Sequence, residues 1–183
     1  MDTGVLSHER LSAVGRARLT LLIAVVLTLQ VAMIGPITID GVHPDLMLLL
    51  AAVGGATGGP ARGALIGFGC GLLSDLFLET PFGLSALTFC IVGYAVGLFQ
   101  GLVLRSSWWI VALASLLGTA GGEFLYALIG AIVGQPQTLS DELPRIIGIV
   151  SLINAVLSVP ATRLMSWATE SSGAAAARTG RRW

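Results

Sequence analysis

The chain has 183 residues, of which 55% are hydrophobic and 11% charged, whereas an ordinary soluble domain carries roughly 25% charged residues. Its ten basic residues are all arginine and are balanced by ten acidic ones, so the basic footprint of a nucleic-acid-binding protein is missing. Composition therefore excludes an ordinary water-soluble domain and points to an all-α integral membrane protein.

The first apolar run, 19–39, follows Arg16 and Arg18. It is too long for the apolar region of a secretory signal peptide and has no small-residue cleavage site, so it reads as a retained first span. Five more apolar segments follow at 46–58, 63–78, 84–104, 108–133 and 146–167, giving about six transmembrane helices. Proline, glycine or charge separates them, as at Asp40 to Asp45, Gly59 to Arg62, Glu79 to Gly83, Arg105 to Ser107 and Gln135 to Arg145.

Arginine in short loops is held on the cytoplasmic side during insertion. With six spans and both ends inside, Arg10, Arg16, Arg18, Arg62, Arg105, Arg163, Arg178, Arg181 and Arg182 all fall on that side, and Arg145 is the exception. The organisation expected is a cytoplasmic segment at 1–18, a six-helix membrane domain at 19–168 and a basic, disordered cytoplasmic tail at 169–183. That tail is either held at anionic lipid or a plain topogenic signal.

Segments two and three are short, roughly 20 and 24 Å of helix against a hydrocarbon thickness of about 30 Å. A re-entrant hairpin would return the chain to the same side. It would also carry Arg62 into the bilayer at a cost of about 2.5 kcal/mol or more, which favours two short true spans. The glycine-rich run from 51 to 63 weakens the helical reading of segment two.

Small residues recur every fourth position at Gly63, Gly67 and Gly71, at Gly93, Gly97 and Gly101, at Gly118 and Gly122, and at Gly130 and Gly134. Each series makes a flat stripe on which another helix packs closely, whether from this chain or from a partner. Trp108 and Trp109 fit an interfacial anchor at the start of segment five.

Two carboxylates fall at or near bilayer depth. Asp75 ends segment three, and is either a helix-end group at the interface or a paired functional one; Glu123, near the middle of segment five, is either a structural hydrogen-bonded group or a ligand or proton site. Chemistry beyond these has little to start from. His8 and His43 lie in a tail and a loop, far in sequence from any nucleophile. Cys70 and Cys90 sit in apolar runs without a second ligand at metal spacing. The run Gly54 to Gly59 lacks the Gly-Lys-Ser/Thr ending of a phosphate loop. No catalytic, cofactor or metal site is expected.

Specific residues do carry a likeness. Pro44-Asp45-Leu46 opens one apolar run. Further on, Gly67-Phe68-Gly69-Cys70-Gly71-Leu72-Leu73-Ser74-Asp75 leads to Pro81-Phe82-Gly83-Leu84, with Gly93-Tyr94 and Gly97 in the next helix. This order, over roughly the middle third of the chain, resembles the MreD family of rod shape-determining proteins. The resemblance implies a non-catalytic scaffold of the bacterial cell-elongation machinery, in the plasma membrane. Its partner would be the bitopic protein MreC, which links it to MreB, the glycosyltransferase RodA and a class B penicillin-binding transpeptidase. Pro44, Asp45, Gly67, Gly71, Asp75, Pro81, Gly83, Gly93 and Gly97, together with Gly101 from the glycine stripe of segment four, are the candidate structural or partner-binding residues.

The rival reading is the substrate-binding component of an energy-coupling-factor vitamin transporter, similar in general helix arrangement. That role needs an outward pocket lined by polar and aromatic groups. Glu123, Tyr126, Asn154 and Trp167 are the few candidates in the later helices, and their spacing gives no obvious common pocket.

Overall fold

A computed structural model describes residues 13–33, 42–77, 81–101, 108–135 and 139–169. Six helices follow in chain order: α1 (Ala13–Met33), α2 (Leu46–Gly58), α3 (Pro60–Asp75), α4 (Leu84–Leu98), α5 (Trp108–Ile132) and α6 (Leu143–Thr169). Each coincides with one of the six apolar segments. The main differences are that α1 starts earlier, that α3 starts at Pro60, which takes Arg62 into its first turn, and that α4 ends at Leu98, short of the expected 104, where the Phe99 N–H turns back to the Val96 carbonyl. The tail beyond 169, the loop at 102–107 and the side chain of Trp108 lie outside the described residues.

Local chemistry explains the helix ends. Asp45 precedes α2 and its Oδ1 accepts the Leu48 N–H at 2.9 Å, an N-cap bond, while the Leu46 N–H donates to Gln30 Oε1 of α1 at 2.8 Å. Two of the orphan donors at this helix start are thus satisfied. Gly59 closes α2 and opens α3 at φ 82°, ψ 177°, a conformation reserved for glycine, and Pro60 follows at the first helical position, which its ring favours. At the end of α5, Gly134 takes φ 98° and the Gln135 N–H returns to the Gly130 carbonyl at 2.9 Å, the bond pattern of a glycine-terminated helix.

Segment two is helical despite its glycines, and it is the centre of the protein. Met47, Leu48, Leu49, Leu50, Ala51, Ala52, Val53 and Ala56 are all within 3% of full burial, and α2 touches every other helix. A 13-residue helix enclosed in this way has no need to match the bilayer thickness, because its neighbours rather than lipid surround it.

The helix stripes explain how α2, α3 and α4 come so close. A Cβ on Gly63 would strike the Gly93 carbonyl, one on Gly67 the Phe89 carbonyl and one on Gly71 the Ser85 carbonyl; on Gly97 it would lie 2.5 Å from Pro60 Cα. The two helices run antiparallel with their backbones in contact. Gly93 and Gly97 are therefore filled from inside the molecule, while Gly101 has no neighbour within 4 Å among the described residues.

α1, α5 and α6 turn large apolar side chains outward, among them Leu21, Leu117, Ile132, Leu152 and Val156, the last three of these 77%, 62% and 70% exposed. In water such a surface would aggregate; against lipid it is the expected one. Val14–Ala32, Trp109–Ile132 and Leu143–Thr169 are long and apolar enough to cross a bilayer.

Candidate functional site

Two polar constellations lie at the end of the bundle where α2 and α4 begin. The first is built on Asp75, which is 4% exposed. Its Oδ2 accepts the Gly83 N–H at 2.9 Å and the Ala86 N–H at 3.2 Å, and its Oδ1 accepts the Ser85 N–H at 3.0 Å. The last residue of α3 thus supplies the anionic cap for the start of α4, where unpaired N–H groups and the helix dipole favour negative charge. Gly83 enters this turn at φ 100°, and the Pro81 carbonyl accepts the Leu84 N–H at 3.1 Å. Among the described residues, all of Asp75's side-chain bonds serve this turn.

The second constellation surrounds Asp45. Besides its capping carboxylate, its backbone carbonyl accepts the Leu49 N–H at 3.1 Å and the Asn154 Nδ2 at 2.9 Å. Asn154, fully buried, also reaches Thr119 Oγ1 at 3.4 Å. With Gln30 on the other side, α1, α2, α5 and α6 meet at one turn. Asn154 is thereby a strut between helices. Nothing in its spacing from Asp45, 109 positions away, could have revealed that in the sequence.

Beside this turn lies a cavity of about 400 Å³, walled by Pro44, Asp45, Leu48, Ser74, Ser85, Phe89, Gly122, Glu123, Tyr126 and Val150, among others. Glu123 and Tyr126, three positions apart on α5, do share a pocket, contrary to the expectation from spacing. The reason is that Gly122 lets Leu48 of α2 press against α5, turning that face inward beside Asp45. Trp167 does not join them. It lies 21 residues beyond Ile146 of the cavity wall, about 30 Å along α6, and its ring receives Arg18 of α1 at 5.0 Å.

Burial pushes the Asp45 carboxyl up to about 6 although the Leu48 and Met47 N–H groups oppose it. The folded chain therefore holds this proton more tightly than the unfolded chain. Stability from this group is complete below the ordinary value of 3.8 and is lost as pH rises through about 6. Asparagine caps a helix as well as aspartate. Asp45→Asn should accordingly keep the α2 cap and flatten the melting-temperature profile between those two pH values.

A second concavity, about 430 Å³ between α4 and α5, is lined by Val96, Phe99, Ile110, Leu113, Ala114, Leu117 and other apolar groups. It has no chemistry beyond its apolar surface. No group of three or more His, Cys, Asp or Glu with metal-binding geometry occurs among the described residues.

The family model described as rod shape-determining protein MreD matches residues 15–167, from the start of α1 to the end of α6. The chain belongs to the MreD family. No curated protein and no solved structure gives a significant match. Membership places this membrane protein in rod-shape determination. Within this MreD-family fold, Gly67, Gly71, Asp75, Pro81, Gly83, Gly93 and Gly97 meet along the α3–α4 contact, whereas Pro44, Asp45 and Glu123 meet at the cavity. Gly101 joins neither group.

Proposed function

We propose that the chain is a non-catalytic membrane scaffold of the rod-shape machinery that holds an MreC-like bitopic protein, and through it MreB, RodA and a class B penicillin-binding transpeptidase. The match to the MreD family across the whole helical bundle carries this reading. The α3–α4 motif residues serve to hold the bundle together, and the partner meets the lipid-facing surface or the end of the bundle near Asp45.

Affinity purification from native membranes tests the proposal. A bitopic periplasmic scaffold should come with the chain, and depletion of the chain should round the cells. Recovery of an ATPase module with a tightly held vitamin-like molecule would replace the scaffold by the transporter reading. The meeting of Asp45, Glu123 and Tyr126 at one cavity is the observation that keeps that second reading in view.

The scaffold reading includes a topology of six spans with both ends in the cytoplasm, which rests on the nine arginines it gathers on one side. Single cysteines placed at Ser106 and Ser172 on a chain without Cys70 and Cys90 should resist an impermeant external label. Those at Gly41, Thr80 and Thr138 should react. External labelling at Ser106 would rule the topology out.

A further inference from the structure

We propose that the cavity beside Asp45 is a binding site for a primary ammonium group, carried either by a phosphatidylethanolamine headgroup or by a small free amine. Its wall brings the carboxyl side chains of Asp45 and Glu123 together with Ser74 and Ser85, and it holds no arginine among the described residues. Charge alone would make this only an acidic cluster. Ser85 makes it more than that.

Ser85, a residue of the cavity wall, is fully buried, its backbone N–H is given to Asp75, and its Oγ has no hydrogen-bond partner among the described residues. The Nδ1 of His43, on the same wall, is likewise buried and unpartnered. Buried polar atoms are nearly always hydrogen-bonded, so two such atoms on residues that wall one cavity mark a place where something polar binds. The wall thus offers two carboxyls, a hydroxyl and a ring nitrogen, the last two without partners among the described residues. All of them accept hydrogen bonds, and an ammonium group offers three N–H donors and a positive charge.

Size and lining fit the same ligand class. A volume of about 400 Å³ is too large for a bare ion and lies within the roughly 300–1,000 Å³ of small-molecule sites. Leu48, Phe89 and Val150 supply an apolar wall for the body that carries the ammonium. A carboxylate away from water is costly unless it is paired. The bound cation supplies the pair.

The test uses the full chain in detergent. It is equilibrated with equal amounts of phosphatidylethanolamine, phosphatidylcholine and phosphatidylglycerol of the same acyl chains, and retained lipid is read by native mass spectrometry. Ethanolamine is titrated separately against the melting temperature. Retention of phosphatidylethanolamine about fivefold or more above the other two lipids identifies a headgroup site. A rise in melting temperature with ethanolamine, without lipid preference, identifies a free amine.

In either case Glu123→Gln and Ser85→Ala should each reduce the effect about fivefold or more. Ser85→Ala removes a hydroxyl that has no partner, so its melting temperature without ligand should be unchanged or higher, and it decides the matter alone if Glu123→Gln does not fold. Equal retention of all three lipids together with no response to ethanolamine overturns the proposal. So does a preference that survives both substitutions, since the ammonium would then bind elsewhere.

Discussion

Asp75→Ala should lower the stability of the folded chain by roughly 3 kcal/mol or more, and in the membrane it should sharply reduce folded yield. The carboxylate accepts three backbone N–H bonds, from Gly83, Ser85 and Ala86. Hydrogen bonds to a charged group contribute about 1.5–3 kcal/mol each, and their loss leaves the donors of Ser85 and Ala86 buried without partners. Asp75→Asn should fall between, because it keeps one acceptor oxygen but turns an amide donor toward the same N–H groups. Gly83→Val should resemble the alanine variant, since a β-branched residue is strained at φ 100°. Pro81→Ala removes a restriction on φ without removing a bond and should have the smallest effect of the four. Melting followed by fluorescence-detected size exclusion ranks them. A parent-like Asp75→Ala would show that the turn is held by something else.

The second large effect concerns the α3–α4 contact. Gly63→Ala or Gly93→Ala should destabilise the bundle by about 2 kcal/mol or more, and Gly97→Ile should fail to fold. In each case the added carbon meets backbone atoms, the Gly93 carbonyl, the Gly63 carbonyl or Pro60 Cα, and a backbone cannot swing aside as a flexible side chain does. Lipid offers no hydrophobic drive for helix association, so close van der Waals contact supplies much of the attraction between these helices. Gly69→Ala and Gly101→Ala are the controls. Neither added carbon meets an atom of the described residues within 4 Å, so both should melt like the parent. The same comparison separates folding from partner binding: Gly97→Ile acts on the fold, and a substitution at Gly101 meets no described part of it.

Much of the architecture was legible in the sequence because the relevant physics is local. Apolar runs and Pro, Gly or charged breaks located six helices to within a few residues at most ends. Pro44-Asp45-Leu46 marked the start of one apolar run and Glu79 to Gly83 a break, and the structure makes Asp45 the cap of α2 and Asp75 an acceptor for the Gly83 N–H. The order of those motifs carried the likeness to the MreD family, and the family match bears it out.

What the sequence left open depends on which helix face meets which neighbour. A stripe of glycines at 93, 97 and 101 packs equally well in principle on a helix of the same chain or of another, since both are as apolar as lipid. Only the antiparallel docking of α4 on α3 assigned the first two positions to the interior and left the third open. Long-range polar bonds were hidden for a related reason: Asn154 reaches the Asp45 carbonyl across 109 positions, and no periodicity connects such residues. Glu123 and Tyr126 face a cavity with Asp45 because Gly122 lets Leu48 press against α5, whereas Trp167 is carried to the other end of α6. Helical spacing determined which side chains share a face; the packing of six helices around a buried α2 decided what each face meets.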